Sequence, residues 1–322
     1  MRRNRNRASD AERTPRWAAR GTMLLALGLF FSCAFAALAS AEPAAPPAPP
    51  PVDAHFDAQS PRAKAAAIAA LTVEEAYDDQ DALLSAALAG LAPQRPGRTD
   101  IYFLGFAGVA YEDVFLHEAR SAQALFDAAY GTEGRSLLLA NNVATLSEDP
   151  LASTHNLQAA ISGLGRVMDP NEDVAVIFLT SHGAPEQLAV EFRPLALNDL
   201  SPRALRAMLD DAGIGWRVII VSACYSGSFI DALRSERTLV ITAARADRAS
   251  FGCAAGNQFT YFGEALFAGA LRHGGSLVAG FQAAALSIAA RERREGLRPS
   301  LPQLELGDAI AAKLGSTPLA GN

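Results

Sequence analysis

Five short apolar runs, each separated from the next by a helical or turn-like stretch, constrain this chain more than any other feature. They read IYFLGFA (101–107), SLLLANN (136–142), DVAVIFLTSHG (173–183), RVIIVSAC (217–224) and TLVITAA (238–244). A strand that is apolar at nearly every position must be covered on both faces, and alternating helices supply that cover. Residues 114–130 place Phe115, Ala119, Ala122, Leu125, Phe126 and Ala129 on one helical face, and Gly131 stops the helix. A further helix runs from Thr154, as cap, through Leu157, Ile161 and Leu164. Residues 186–194 read as a hairpin, and 200–212 as a helix with Ser201-Pro202 as cap and first position. Helices over 259–271 and 276–294 close the domain. The pattern predicts an α/β fold over residues 97–315: a three-layer sandwich with a mainly parallel sheet and helices on both faces.

The N-terminal third has a different texture. Residues 1–20 carry seven Arg against Asp10 and Glu12, and 21–41 are uncharged and apolar, ending in Ala39-Ser40-Ala41. This predicts a signal peptide or membrane anchor over 1–41. The basic end stays in the cytoplasm and the rest is exported, to the periplasm or beyond, secreted or held at the inner membrane by the N-terminal segment. Residues 42–54 are a Pro/Ala linker, semi-rigid and extended. Residues 55–96, rich in Ala and Leu, read as two helices. Residues 1–41 hold +5 of a total charge of −6, which leaves −11 on the remainder. An acidic body without a basic stripe excludes nucleic acid as partner. No GxGxxG or GxxxxGK[ST] follows a strand, which excludes the familiar nucleotide loops.

Two strands end in reactive groups: the third in Thr180-Ser181-His182-Gly183, the fourth in Ser222-Ala223-Cys224-Tyr225-Ser226-Gly227. Ligands of an open α/β sheet sit beyond the carboxyl ends of its strands. If these two strands are parallel neighbours, an imidazole and a thiol converge there. An imidazole or a helix N-terminus raises the thiolate fraction, and a helix start is expected directly after Cys224. Backbone N–H groups of Gly183 and Cys224 are the candidate oxyanion donors, and His182 the acid that protonates a leaving amine. Cys253 is the other cysteine of the exported part. In an oxidising compartment the pair invites a disulfide, so a Cys224–Cys253 bridge and a free nucleophile both stand open. Otherwise Cys253 reads as a buried apolar residue, and His117, His155 and His273 as surface, capping or turn residues.

TSHG and SACYSG on successive strands, with GFAG (105–108), ITAARADRASFGC (241–253) and RPSLPQ (298–303), resemble the legumain-type cysteine peptidases, peptidase family C13, and most of all their bacterial membrane-associated branch. The resemblance implies a caspase-like α/β sandwich, a peptide or protein substrate, and no metal or organic cofactor. It also implies His182 as catalytic histidine and Cys224 as nucleophile, with Gly183 giving an oxyanion donor. Plant and animal members read Asn with an acidic residue two before the Cys and an Arg-His pair after the first strand. Here those places hold Ser222 and Phe115-Leu116, so strict Asn specificity is not implied. The segment around Asp247 and Ser250 becomes the expected specificity wall. Two rivals share these residues: a transpeptidase using the same dyad, and a non-catalytic peptide-binding module on the same scaffold. Oligomeric state is not legible.

Overall fold

The computed structural model describes residues 60–321. The expected signal or anchor and the Pro/Ala linker lie outside the described residues. Among those described, no helix is long and apolar enough to cross a membrane.

Three helices precede the sheet where two were expected: α1 (Pro61–Ala70), α2 (Val73–Tyr77) and α3 (Gln80–Ala89). The extra break comes from Thr72, whose hydroxyl and Glu75 form a reciprocal cap, and from Asp79, which takes a left-handed conformation with φ of 58°. Then follow β1 (Ile101–Ala107), α4 (Asp113–Tyr130), β2 (Ser136–Ala140), α5 (Thr154–Val167), β3 (Val174–Thr180), the hairpin β4 (Gly183–Ala184) and β5 (Gln187–Leu188), α6 (Pro202–Asp211) and β6 (Trp216–Ser222). The chain continues through α7 (Ile230–Leu233), β7 (Thr238–Thr242), α8 (Tyr261–Gly263) running into a π-helical turn (Glu264–Ala270), α9 (Leu277–Arg294), β8 (Gln303–Leu306) and α10 (Asp308–Leu314).

The main sheet runs in the order β2-β1-β3-β6-β7-β8, parallel except for β8. Strand pleating divides the apolar runs between two cores. Phe103, Val176, Ile220 and Ile241 face α4, α9 and α10, against Phe115, Phe281 and Ile310. Tyr102, Ile177, Ile219 and Val240 face α5, α6 and α7, against Ile161, Leu205 and Leu233. These are the three layers of the expected α/β sandwich.

The N-terminal helices pack on this body. Ile68 and Ala76 are buried with Ala110, Leu151, Phe192 and Leu195. Lys64 is 4% exposed and pairs with Asp113 at the start of α4, which also accepts from Asn142 Nδ2 at 2.8 Å. Removing one partner of a buried ion pair leaves the other charge uncompensated. Lys64→Ala is therefore expected to cost about 3 kcal/mol of stability, measured as a shift in the urea midpoint at constant slope.

Candidate active site

The register pairs Ala107 of β1 with Thr180 of β3, and Thr180 with Ser222 of β6, so three strand tips are level. His182 and Cys224 each stand two residues past the Thr180–Ser222 pair. The ladder extends one step further through Ser181 N–H to Ser222 O at 3.2 Å. Beyond it the two loops touch: a Cβ at Gly183 would stand 2.3 Å from the Cys224 carbonyl oxygen. Glycine is required there by close approach of two backbones.

The turn after Cys224 differs from expectation. Tyr225 is left-handed, with φ of 57°, and leads into a 3-10 turn (Ser226–Phe229) before the single turn of α7. Its N–H donates to Arg248 O at 2.7 Å, Gly227 N–H to Ala244 O at 2.8 Å and Ser228 N–H to Tyr225 O at 2.9 Å. The free helix N-terminus expected to favour a thiolate is thus absent, because these N–H groups are taken by carbonyls. The sulfur is served instead from the wall segment: Ser250 N–H donates to Cys224 Sγ at 3.3 Å, and Ser250 Oγ lies 3.7 Å away. Cys224 N–H has no acceptor among the described residues.

His182 is held by three neighbours. Phe115 of α4 meets its ring edge-on, with centroids 5.1 Å apart at 83°. Glu112 Oε2, a buried oxygen just before α4, lies 3.5 Å from Nε2. The Cys253 thiol is the third. Hydrogen bonding to Cys253 and then to Glu112 raises the imidazole from 6.5 to about 10, against the opposing effect of burial. His182 is therefore an imidazolium at neutral pH, able to give a proton. A group with a raised folded pKa contributes stability that is complete below its unfolded pKa and is lost as pH climbs through the folded one. His182→Gln is expected to flatten the decline in stability between about pH 6.5 and pH 10, read from urea midpoints across that range.

No hydrogen bond joins His182 to Cys224; the imidazole meets Cys253 and the Cys224 sulfur meets Ser250. Cys224 and Cys253 are both free thiols, so the bridge left open by the sequence is not formed. Cys253 is half-buried against the core and beside His182, a contact that its sequence surroundings did not signal. Ser222 is 2% exposed, with Oγ 3.2 Å from Thr260 Oγ1; it faces a buried polar cluster rather than the surface. Asp247 is exposed on the wall and clasped by Arg245 at 2.6 and 3.0 Å and by Arg248 at 2.7 Å. These pairings, Arg245 first, hold its carboxyl down at about 2. His155 and His273 are exposed as expected. His117 is not; it is half-buried in α4, and burial lowers its pKa. Among the described residues, no group of three or more His, Cys, Asp and Glu is placed to hold a metal ion.

Two comparisons bear on this geometry. The model of the peptidase C13 family matches residues 155–313, about half of the chain, from the start of α5 through α10 and across both strand tips. Among solved structures, caspase-1 from Spodoptera frugiperda is similar with a TM-score of 0.47 at 10% identity, over 67% of this chain and 94% of that one. No curated protein matches the sequence. The family match covers the strands that end at His182 and Cys224, and the chain belongs to the peptidase C13 family.

Proposed function

We propose that the chain is an exported cysteine endopeptidase in which Cys224 is the nucleophile and His182 the general acid and base. The observation that carries this is the level register of β3 and β6, which sets an imidazolium and a thiol two residues past one matched pair. Cys224 attacks the scissile carbonyl carbon as the thiolate, its proton having left to solvent; the N–H groups of Cys224 and Gly183 take the oxyanion, and the C–N bond breaks as the tetrahedral intermediate collapses. His182 passes its proton to the leaving amine, a thioester remains on Cys224, and water resolves it with the imidazole as base. No hydrogen bond joins His182 to Cys224, and the substrate backbone is proposed to lie between them. Ser250 and Asp247 on the wall are the proposed readers of the substrate side chain; Ser222, buried against Thr260 and Glu118, does not reach it.

The His182–Cys253 contact favours a second reading, in which Cys253 attacks. Its place on a loop packed against the core, without strand-tip register, weighs against that. The test is labelling of residues 42–322 by a peptide-based thiol-reactive probe, followed by peptide mapping, in the parent and in His182→Ala. Rapid labelling at Cys224 that falls sharply without His182 is expected. An adduct at Cys253 alone sinks the assignment, and an intact peptide recovered from an unlabelled protein favours a binding module. Acyl transfer to an added amine instead of hydrolysis points to a transpeptidase.

A further inference from the structure

Glu118 lies within α4 and has no exposed surface. Its carboxylate is the meeting point of three segments that carry the candidate site. Thr180 Oγ1 donates to Oε1 at 3.3 Å, Thr260 N–H donates to Oε2 at 2.8 Å, and the Ser222 hydroxyl donates as well. Thr180 ends β3 two residues before His182. Ser222 ends β6 two residues before Cys224. Thr260 caps α8 and closes the wall segment, whose Ser250 serves the Cys224 sulfur and whose Cys253 meets His182. The 3.2 Å contact between Ser222 Oγ and Thr260 Oγ1 closes the network.

Packing is tight on the side of the carboxylate that faces α8. A Cβ at Gly263 would stand 2.3 Å from Glu118 Cδ, so the glycine at the end of α8 is shaped to this side chain. Among the described residues no Lys, Arg or His forms an ion pair with Glu118. Burial raises its pKa, opposed by the donors from Ser222, Thr260 and Thr180. An unpaired buried carboxyl is costly, and an apolar side chain of the same size would fasten α4 to the sheet without that cost. What the carboxylate supplies, and an apolar group cannot, is direction: donors from three segments converge on two oxygens.

We propose that Glu118 is a positioning residue for the Cys224–His182 chemistry, fixing the two strand tips and the wall segment relative to one another. The inference rests on the peptidase reading above. Glu118 is sealed from substrate and acts only through Thr180, Ser222 and Thr260. A glutamine in its place keeps the shape but turns an NH2 group towards donors, so at least one bond is lost and the segments part.

The experiment measures alkylation of Cys224 by iodoacetamide against pH, located by peptide mapping, in the parent, Glu118→Gln, Glu118→Ala and Thr180→Val proteins, with melting temperatures recorded beside it. The expected result is a fast parent reaction. In Glu118→Gln the rate falls about 10-fold to 100-fold and its pH profile departs from the parent's, with a smaller change in Thr180→Val. Glu118→Gln decides the matter if Glu118→Ala does not fold. Variants that melt lower yet keep the parent rate and pH profile overturn the proposal and leave the peptidase reading intact. A parent whose Cys224 reacts like any free thiol overturns both.

Discussion

Cys224→Ala is expected to abolish peptide cleavage, a loss on the order of 10^6-fold in kcat, while the protein keeps its fold. In the proposed mechanism the thiol carries the acyl intermediate, and Ala fits the space it leaves. His182→Ala is expected to lose about 10^2-fold to 10^4-fold, because proton transfer to the leaving amine then falls to solvent. The two losses are not additive, since both residues serve one step. Cleavage of a peptide library, quantified by mass spectrometry for parent, single and double variants, measures this. A Cys224→Ala protein that cuts at the parent rate ends the nucleophile assignment. A double variant much worse than Cys224→Ala means the two act independently.

Gly183→Ala carries the second large effect, through packing rather than chemistry. The added methyl would stand 2.3 Å from the Cys224 carbonyl oxygen and 3.0 Å from the Ala223 Cβ. Real side chains do not approach a carbonyl so closely, so one of the two loops must move. Neither can do so freely. Ala189 N–H donates to His182 O at 3.0 Å, and Tyr225 N–H is fixed to Arg248 O at 2.7 Å. Overpacking of this kind costs about 1–3 kcal/mol, and a displacement near 1 Å at the dyad is worth about 100-fold in rate. A fall in kcat at least as large as the fall in stability warrants is expected, measured by kinetics and urea unfolding on one preparation. Unchanged kinetics would mean that the two loops are not held at their observed distance.

The sheet was largely legible from the residues. The β1 run 101–107 and the β7 run 238–244 were visible because a strand covered on both faces is apolar throughout, and that signal is local. The α4 and α6 helices were visible for the same reason, with Gly131 and Ser201-Pro202 marking their ends. β8 escaped because it is an antiparallel edge strand of four half-buried residues, Gln303–Leu306, too short to show a period. The π-helical turn over Glu264–Ala270, which lies against α9, escaped because its residues carry no pattern that distinguishes it from an α-helix.

Within the site, the residue types announced themselves and their partners did not. His182 and Cys224 stood out as reactive groups at strand ends, and Ser250 as a polar group on the wall. Glu118 left a readable trace: a carboxylate three residues after Phe115 and four before Ala122, on the buried face of an apolar helix. Glu112 and Cys253 left none, since a glutamate before a helix and a cysteine in a loop are ordinary. The sequence alone determined the layers of this protein, its strand-tip thiol and its imidazole, because apolar periodicity and chain termination act over a few residues. Only the tertiary structure decided that β3 and β6 are level neighbours, that Ser250 rather than a helix end serves the sulfur, and that Glu118 joins three segments. Those contacts link residues 26 to 142 positions apart, and only long-range packing brings such residues together.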